Sequence, residues 1–177
     1  MQRVPFADFE PELAKRLHEL WGRPVNLYRK LANHPALVAA WTEFANSIRH
    51  ESRTPRTLRE LMILRSGQLQ HSEYEWAHHL KMARKAGVRE AQIAALVDWR
   101  SSREFDARER AALLLTEAVT AGNVSDAVYA EVSTVFDHRE YVELCMTAAF
   151  YCMVGRMVDA MRAELDEDAR EYSPKLS

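Results

Sequence analysis

Apolar residues along this chain recur at helical spacing, and no stretch alternates with the period of a strand. Leu13, Leu17 and Leu20 form one face over 11–21, which Gly22 and Pro24 punctuate. A short helix over 26–32 carries Leu27 and Leu31. Asn33-His34-Pro35 then stops the chain and restarts it, with Pro35 in the first turn of the next helix. Over 35–51 the spacing turns Leu37, Trp41, Phe44, Ala45 and Ile48 inward. Thr54-Pro55 opens the following helix, Thr as cap and Pro at the first position, and that helix runs to about Leu69. A turn near His71-Ser72 leads into a helix over 73–86, stopped by Gly87. A shorter helix spans 90–99, and 100–105 reads as a charged, solvated loop. Two capping boxes, Asp106-x-x-Glu109 and Asp137-x-x-Glu140, open long helices, the first ending at Gly122 and the second running to about Leu165. Ser125 caps a helix between them that runs to about Phe136. Within the last helix, 144–155 is apolar on all sides, which predicts burial against another subunit as well as its own core. Twelve residues are too few to span a bilayer. The polar tail from Asp166 is predicted to fray.

The pattern predicts one all-α domain over 1–177, organised around residues 60–87 and closed by a buried C-terminal helix over about 138–165. At ~100° per residue, Trp76, His79, Leu80 and Ala83 share one arc of the 73–86 helix, with Lys81, Arg84 and Lys85 opposite and His78 pointing away from the apolar face. Glu75 and His79 are one turn apart at the edge of that face, an acid beside an imidazole with the chemistry of a proton-handling pair. Ser72 and Glu75 equally fit a capping box, in which the Glu75 carboxylate serves the backbone, and His79 then reads as a core residue. Glu60 sits among Leu61, Ile63 and Leu64, where a carboxylate is exposed or needs a partner.

With 177 residues, 47% of them hydrophobic, the chain is long enough to bury a real core. A formal net charge of −2 without a basic cluster argues against nucleic acid as a partner. No N-terminal apolar run is long enough for a signal peptide, and no membrane partner is expected. The only cysteines, Cys145 and Cys152, lie seven apart on one predicted helix, ~10 Å between Cα atoms, too far for a disulfide. Free thiols fit a cytoplasmic protein. His71, His78 and His79 lack a matching set of carboxylates or cysteines at ligand spacing, so no metal and no other cofactor is expected.

Residues 58–88 closely resemble the carboxymuconolactone decarboxylase family, which includes the alkyl hydroperoxidase D-like proteins, and the resemblance extends more loosely over about 40–122. It is carried by Arg59-Glu60-Leu61, Ser72-Glu73-Tyr74-Glu75-Trp76, His79, Ala86-Gly87-Val88 and Glu90. The redox branch of that family has a Glu, a Cys-x-x-Cys beginning twelve residues later, and a His four after the second Cys. Glu60 and His79 match the Glu and the His, while Ser72 and Glu75 stand at the cysteine positions. Disulfide exchange needs a thiolate, so dithiol peroxidase chemistry is not expected at this site. The resemblance implies the alkyl hydroperoxidase D-like helical bundle and a homo-oligomer, a dimer, trimer or hexamer. It also implies a decarboxylase-type or proton-transfer enzyme acting on a small organic acid or lactone. His79 would donate the proton, Glu60 or Glu75 would fix its state, and Arg65 would hold the substrate's negative charge. Two alternatives stand beside this reading: a non-catalytic binding or assembly member of the family, and a peroxidase-type reductase using Cys145 or Cys152.

Overall fold

Residue 71 is where the central pair of helices folds back on itself. His71 adopts a left-handed backbone, φ 52°, a position usually given to glycine. Ser72 N then donates to Gly67 O at 2.9 Å, which closes the end of the preceding helix. In the computed structural model, which describes residues 3–173, the helices are α1 (Pro11–Trp21), α2 (Asn26–Leu31), α3 (Pro35–His50), α4 (Arg56–Leu69), α5 (Glu73–Ala86), α6 (Glu90–Ala95), α7 (Ala107–Ala121), α8 (Asp126–Val132) and α9 (His138–Met161). Leu96–Asp98 and Glu167–Tyr172 form 3₁₀ turns. Among the described residues there is no strand.

The organising helix is α4, and it feeds three apolar clusters. Ile63 joins Leu17, Tyr28, Trp41 and Tyr151 beneath α1–α3. Leu61 and Leu64 join Trp76, Leu80, Leu96 and Leu113. Leu58 and Met62 join Leu115, Val132, Leu144 and Ala148 on the α7–α8–α9 side. A helix surrounded in this way has no solvent face, so its polar residues must find partners inside the fold. Arg59 does so by donating to the carbonyls of Ile48, Arg49 and Thr54, which ties the end of α3 to the start of α4.

Several sequence expectations change here. The first position of α4 is Arg56, with Pro55 as N-cap and no side-chain cap from Thr54, whose backbone N instead donates to Glu143. In α3 the inward face is Val38, Trp41, Thr42, Ala45 and Ile48. Leu37 and Phe44, expected inside, are exposed, because one helix cannot turn that wide an apolar arc toward a single neighbouring layer. The helix over 90–99 divides into α6 and the Leu96–Asp98 turn, α8 stops at Val132, and α9 stops at Met161, where Arg162 turns left-handed. The helix apolar on all sides in sequence is not buried on all sides in this fold. In α9, Leu144, Ala148, Tyr151 and Val158 face the core, while Val142, Met146, Ala149 and Met153 form an exposed apolar stripe. At 24 residues α9 is long and apolar enough to cross a membrane by composition. Here it packs on α4 and α7, and half of its most apolar window is buried.

The C-terminal segment does not fray as its polarity predicts. Asp166 is 3% exposed and accepts hydrogen bonds from Asn26 N, Arg23 Nη1 and His78 Nε2. The Glu167–Tyr172 turn that follows lies along α5. Residues 174–177, the end of that tail, lie outside the described residues.

Candidate functional site

The start of α5 decides what Glu75 does. Ser72 Oγ accepts from Glu75 N at 3.4 Å, so the serine is a genuine cap. The reciprocal half of the box is missing, because Ser72 N is already bonded to Gly67 O. Asp106/Glu109 and Asp137/Glu140 complete both halves. Released from capping, the Glu75 carboxyl turns into the protein. Its Oε2 is buried with no hydrogen-bond partner among the described residues, 3.8 Å from His79 Nε2.

Glu60, one turn into α4, is fully buried and doubly held. Arg56, four residues earlier, donates from Nε at 2.6 Å, and His79 Nδ1 donates to Oε2 at 2.8 Å. Nδ1 therefore carries a proton, and the reactive nitrogen is Nε2, facing Glu75. Tyr151 of α9 packs edge-on against the imidazole with centroids 4.7 Å apart. The Tyr151 hydroxyl accepts from Arg49 Nε at 3.1 Å, and Arg49 Nη1 reaches Tyr28 Oη at 3.4 Å. These seven side chains come from five helices, α2, α3, α4, α5 and α9.

Burial separates the two carboxyls. At Glu60 burial works upward, but His79 and Arg56 outweigh it and hold the carboxyl below its ordinary value. At Glu75 burial prevails over the opposing pull of His79, His78 and Arg49, and the carboxyl is raised. One acid is thus kept ionised and the other is biased toward its protonated form on either side of one imidazole, a division suited to acid–base work.

A cavity of about 480 Å³ opens beside this group, within the usual range for small-molecule sites. Glu75 and His79 line it, and Glu60 lies behind His79 outside the lining. The rest of the wall includes Trp21, Tyr28, Arg49, Arg56 and Met82, with Asp168, Ala169 and Tyr172 contributed by the C-terminal turn. Arg65 is not brought to the cavity. Its guanidinium is spent on Glu117, 2.9 Å from Nε, and on Gln68. His78, expected outside, is half enclosed and lines the cavity. Its Nε2 lies 2.9 Å from Asp166 and its ring stacks on Tyr74, because the C-terminal segment folds over a face of α5 that the local pattern left to solvent. The 100–105 loop takes no part in the lining. Among the described residues no three His, Cys, Asp or Glu side chains are disposed to hold a metal ion.

Sequence reasoning missed Arg49, Arg56, Tyr28, Trp21 and Tyr151. Only Arg56 carried a local signal, the i,i+4 spacing to Glu60. The others meet through tertiary packing.

The model of the carboxymuconolactone decarboxylase family matches residues 35–118, from α3 through most of α7. An uncharacterized protein of Bacillus subtilis (strain 168), YdfG, is 32% identical over 99 residues, 54% of this chain and 67% of that one. A variant of the debrominase Bmp8 in complex with 2,3,4-tribromopyrrole superposes with a TM-score of 0.81 at 16% identity, covering 98% of each chain. The alkylhydroperoxidase AhpD core of an uncharacterized peroxidase-related protein from Ralstonia eutropha JMP134 gives 0.80 at 14% identity, covering 95% of this chain and 94% of that one. At such identities the likeness carries the fold, an alkyl hydroperoxidase D-like helical bundle.

Proposed function

This chain belongs to the carboxymuconolactone decarboxylase family, and from that premise and the Glu60–His79–Glu75 group we propose that it is a proton-transfer enzyme of the decarboxylase type. Its substrate is a small organic acid or lactone held in the 480 Å³ cavity. The observation that carries the reading is that Glu75 and His79 line one cavity side by side, while Glu60 stands behind the imidazole and fixes its Nδ1–H. In the reaction the bond to the departing carboxylate breaks, CO₂ leaves, and the electron pair moves onto a conjugated carbonyl oxygen. The enolate carbon then takes a proton from Glu75, and the Glu75 carboxylate is reprotonated from solvent water through His79 Nε2. Positioned acid–base groups of this kind contribute ~10²–10⁴ in rate.

Thiol chemistry is disfavoured on two grounds. Ser72 and Glu75 occupy the positions of the family's cysteine pair, and neither Cys145 nor Cys152 lines the cavity. Burial also pushes the Cys145 thiol up, away from the thiolate. The experiment is a screen for CO₂ release and solvent-deuterium incorporation over small keto acids and lactone acids, run beside a Cys145→Ser/Cys152→Ser variant. Turnover should survive loss of both cysteines, and no dithiol-driven reduction of organic hydroperoxides should be seen. Robust hydroperoxide turnover that disappears in the double variant would overturn the reading.

The assembly proposed is a homo-oligomer, a dimer, trimer or hexamer. What supports it is the exposed stripe of Val142, Met146 and Met153 on α9, beside exposed Phe44 on α3, a larger apolar face than single exposed residues make. Light scattering should give a multiple of the monomer mass at micromolar concentration, and a Met146→Glu/Phe44→Glu variant should fall to the monomer. A wild-type monomer would contradict the proposal.

A further inference from the structure

Among the described residues, Arg49 is an arginine of the cavity wall whose hydrogen-bond partners are all neutral. Arg56 is neutralised by Glu60, and Arg23, at the rim, by Asp166 and Asp168. Arg49 has no carboxylate within 4 Å among the described residues. Its partners are the hydroxyls of Tyr151 and Tyr28, taken by Nε and Nη1, and among the described residues its Nη2 has no hydrogen bond. It lies between α2, α3 and α9, with its guanidinium carbon 5.3 Å from the Trp21 ring. Trp21 lines the same cavity and has its own buried donor, Nε1, without a partner.

Arg56 is matched by Glu60, whereas the described residues give Arg49 no ion pair; Arg49 shares the cavity wall with Glu75, Asp168, Lys81 and Lys85. An enclosed charge left uncompensated is unfavourable, and a bound anion relieves it. Guanidinium and carboxylate match as planar, forked groups. Leu20, Val25, Leu27, Tyr74, Met82 and Val154 give the cavity an apolar and aromatic part, and Lys81, Lys85 and Asp168 also line it.

We propose that Arg49 is the anion-anchoring, specificity-determining residue of the cavity, selecting organic monoanions with a flat or apolar body over their neutral isosteres. This rests on the reading of the cavity as the substrate site, and it assigns to Arg49 the part that the sequence offered to Arg65. The anchored anion lies on the Tyr28–Trp21 side, so the body of the ligand extends past Glu75 and His79.

The test uses benzoate and benzamide, equal in shape and different in charge, with affinity read by calorimetry on the intact protein. Wild type is expected to bind benzoate at least tenfold more tightly than benzamide. Arg49→Gln should lose that preference, and Arg49→Lys, which keeps the charge without the fork, should weaken benzoate several-fold and leave benzamide unchanged. Thermal melts establish that each variant is folded; should Arg49→Gln fail to fold, Arg49→Lys and the benzoate–benzamide comparison decide. Equal binding of the two probes by wild type, binding of neither, or wild-type benzoate affinity in a folded Arg49 variant overturns the proposal. The relay reading fails separately: turnover that survives Glu75→Gln would remove the acid and leave the anion anchor standing.

Discussion

Glu75→Gln is expected to abolish turnover and, at neutral pH, to raise the melting temperature. The two effects share one cause. The Glu75 carboxyl is buried, its Oε2 has no hydrogen-bond partner among the described residues, and its proton affinity in the folded protein is above the ordinary carboxylate value. A carboxyl of raised pKa holds its proton when folded at a pH where the unfolded chain has released it. Stability therefore falls as pH rises from the ordinary carboxylate value through the folded one, and the cost is fully present above that. Glutamine keeps the shape and removes the charge, so the gain should be on the order of 1 kcal/mol, roughly 2–4 °C, at pH 7. The gain should vanish in acid, where Glu75 is protonated in both states. Turnover should drop by ~10² or more, since the amide cannot donate a proton to carbon. Glu60→Gln should do the opposite to stability. Its folded value is depressed, so its stabilisation is present above the ordinary carboxylate value and is lost as pH falls through the folded one. Replacing it should cost about 3 kcal/mol at pH 7, because Arg56 and His79 lose a buried charge partner. The check is a set of melts for the two variants from pH 4 to 8, with turnover measured alongside. Shifts of the same sign for both would mean that the two carboxyls are not differentiated.

What could be read from the sequence followed the range of the interaction. Gly87 and Gly122 end their helices left-handed, and the Asp106/Glu109 and Asp137/Glu140 boxes are complete, because each needs only neighbours within one turn. The meeting of Glu60 with His79 was within reach too. Two helices joined by a tight turn at His71 must run antiparallel, and the inward arc of 73–86 carries His79. Glu75 was ambiguous for a physical reason: S-x-x-E describes a cap and an inward acid equally well. The choice was made by Gly67 O, which takes the Ser72 N–H that the carboxylate would have needed. The misplacements of Leu37 and Phe44 have another origin. Spacing reports an apolar arc, and how much of that arc meets the core depends on the helices around it. Arg49 and Tyr151 are 102 residues apart and His78 and Asp166 are 88 apart, and no local pattern encodes such pairs.

Asp166→Ala is expected to be the most destabilising single change outside the apolar core. Asp166 lies in a segment whose composition suggests a loose tail, yet its carboxylate is the junction of three parts of the chain. It accepts from the first backbone N–H of α2, at Asn26, 3.2 Å away, and from Arg23 Nη1 and His78 Nε2, each at 2.9 Å. The Tyr74 hydroxyl lies 3.4 Å from Oδ2. Alanine would leave His78 and Tyr74 enclosed without that acceptor and would uncap α2. Breaking a buried pair in this way costs ~3–5 kcal/mol, roughly 10 °C for a domain of this size. The loss should be felt locally as well. Ala169 and Tyr172 form one wall of the cavity and are held there by Asp166, so amide exchange should rise over 167–172 and in the first turn of α5. The pH dependence follows from the same contacts. Burial would raise the Asp166 carboxyl, but His78, Arg23 and the Asn26 N–H outweigh it and hold it below its ordinary value. Its stabilisation is thus complete above ~3.9, the unfolded value, and disappears as pH falls through the folded one. Wild type should loosen its C-terminal turn in that acid window, and Asp166→Ala should already be loose at pH 7 and show no further step there. Unchanged melts together with unchanged exchange over 167–172 would mean that the turn is held by its apolar contacts alone, and that Asp166 is not the latch on the cavity wall.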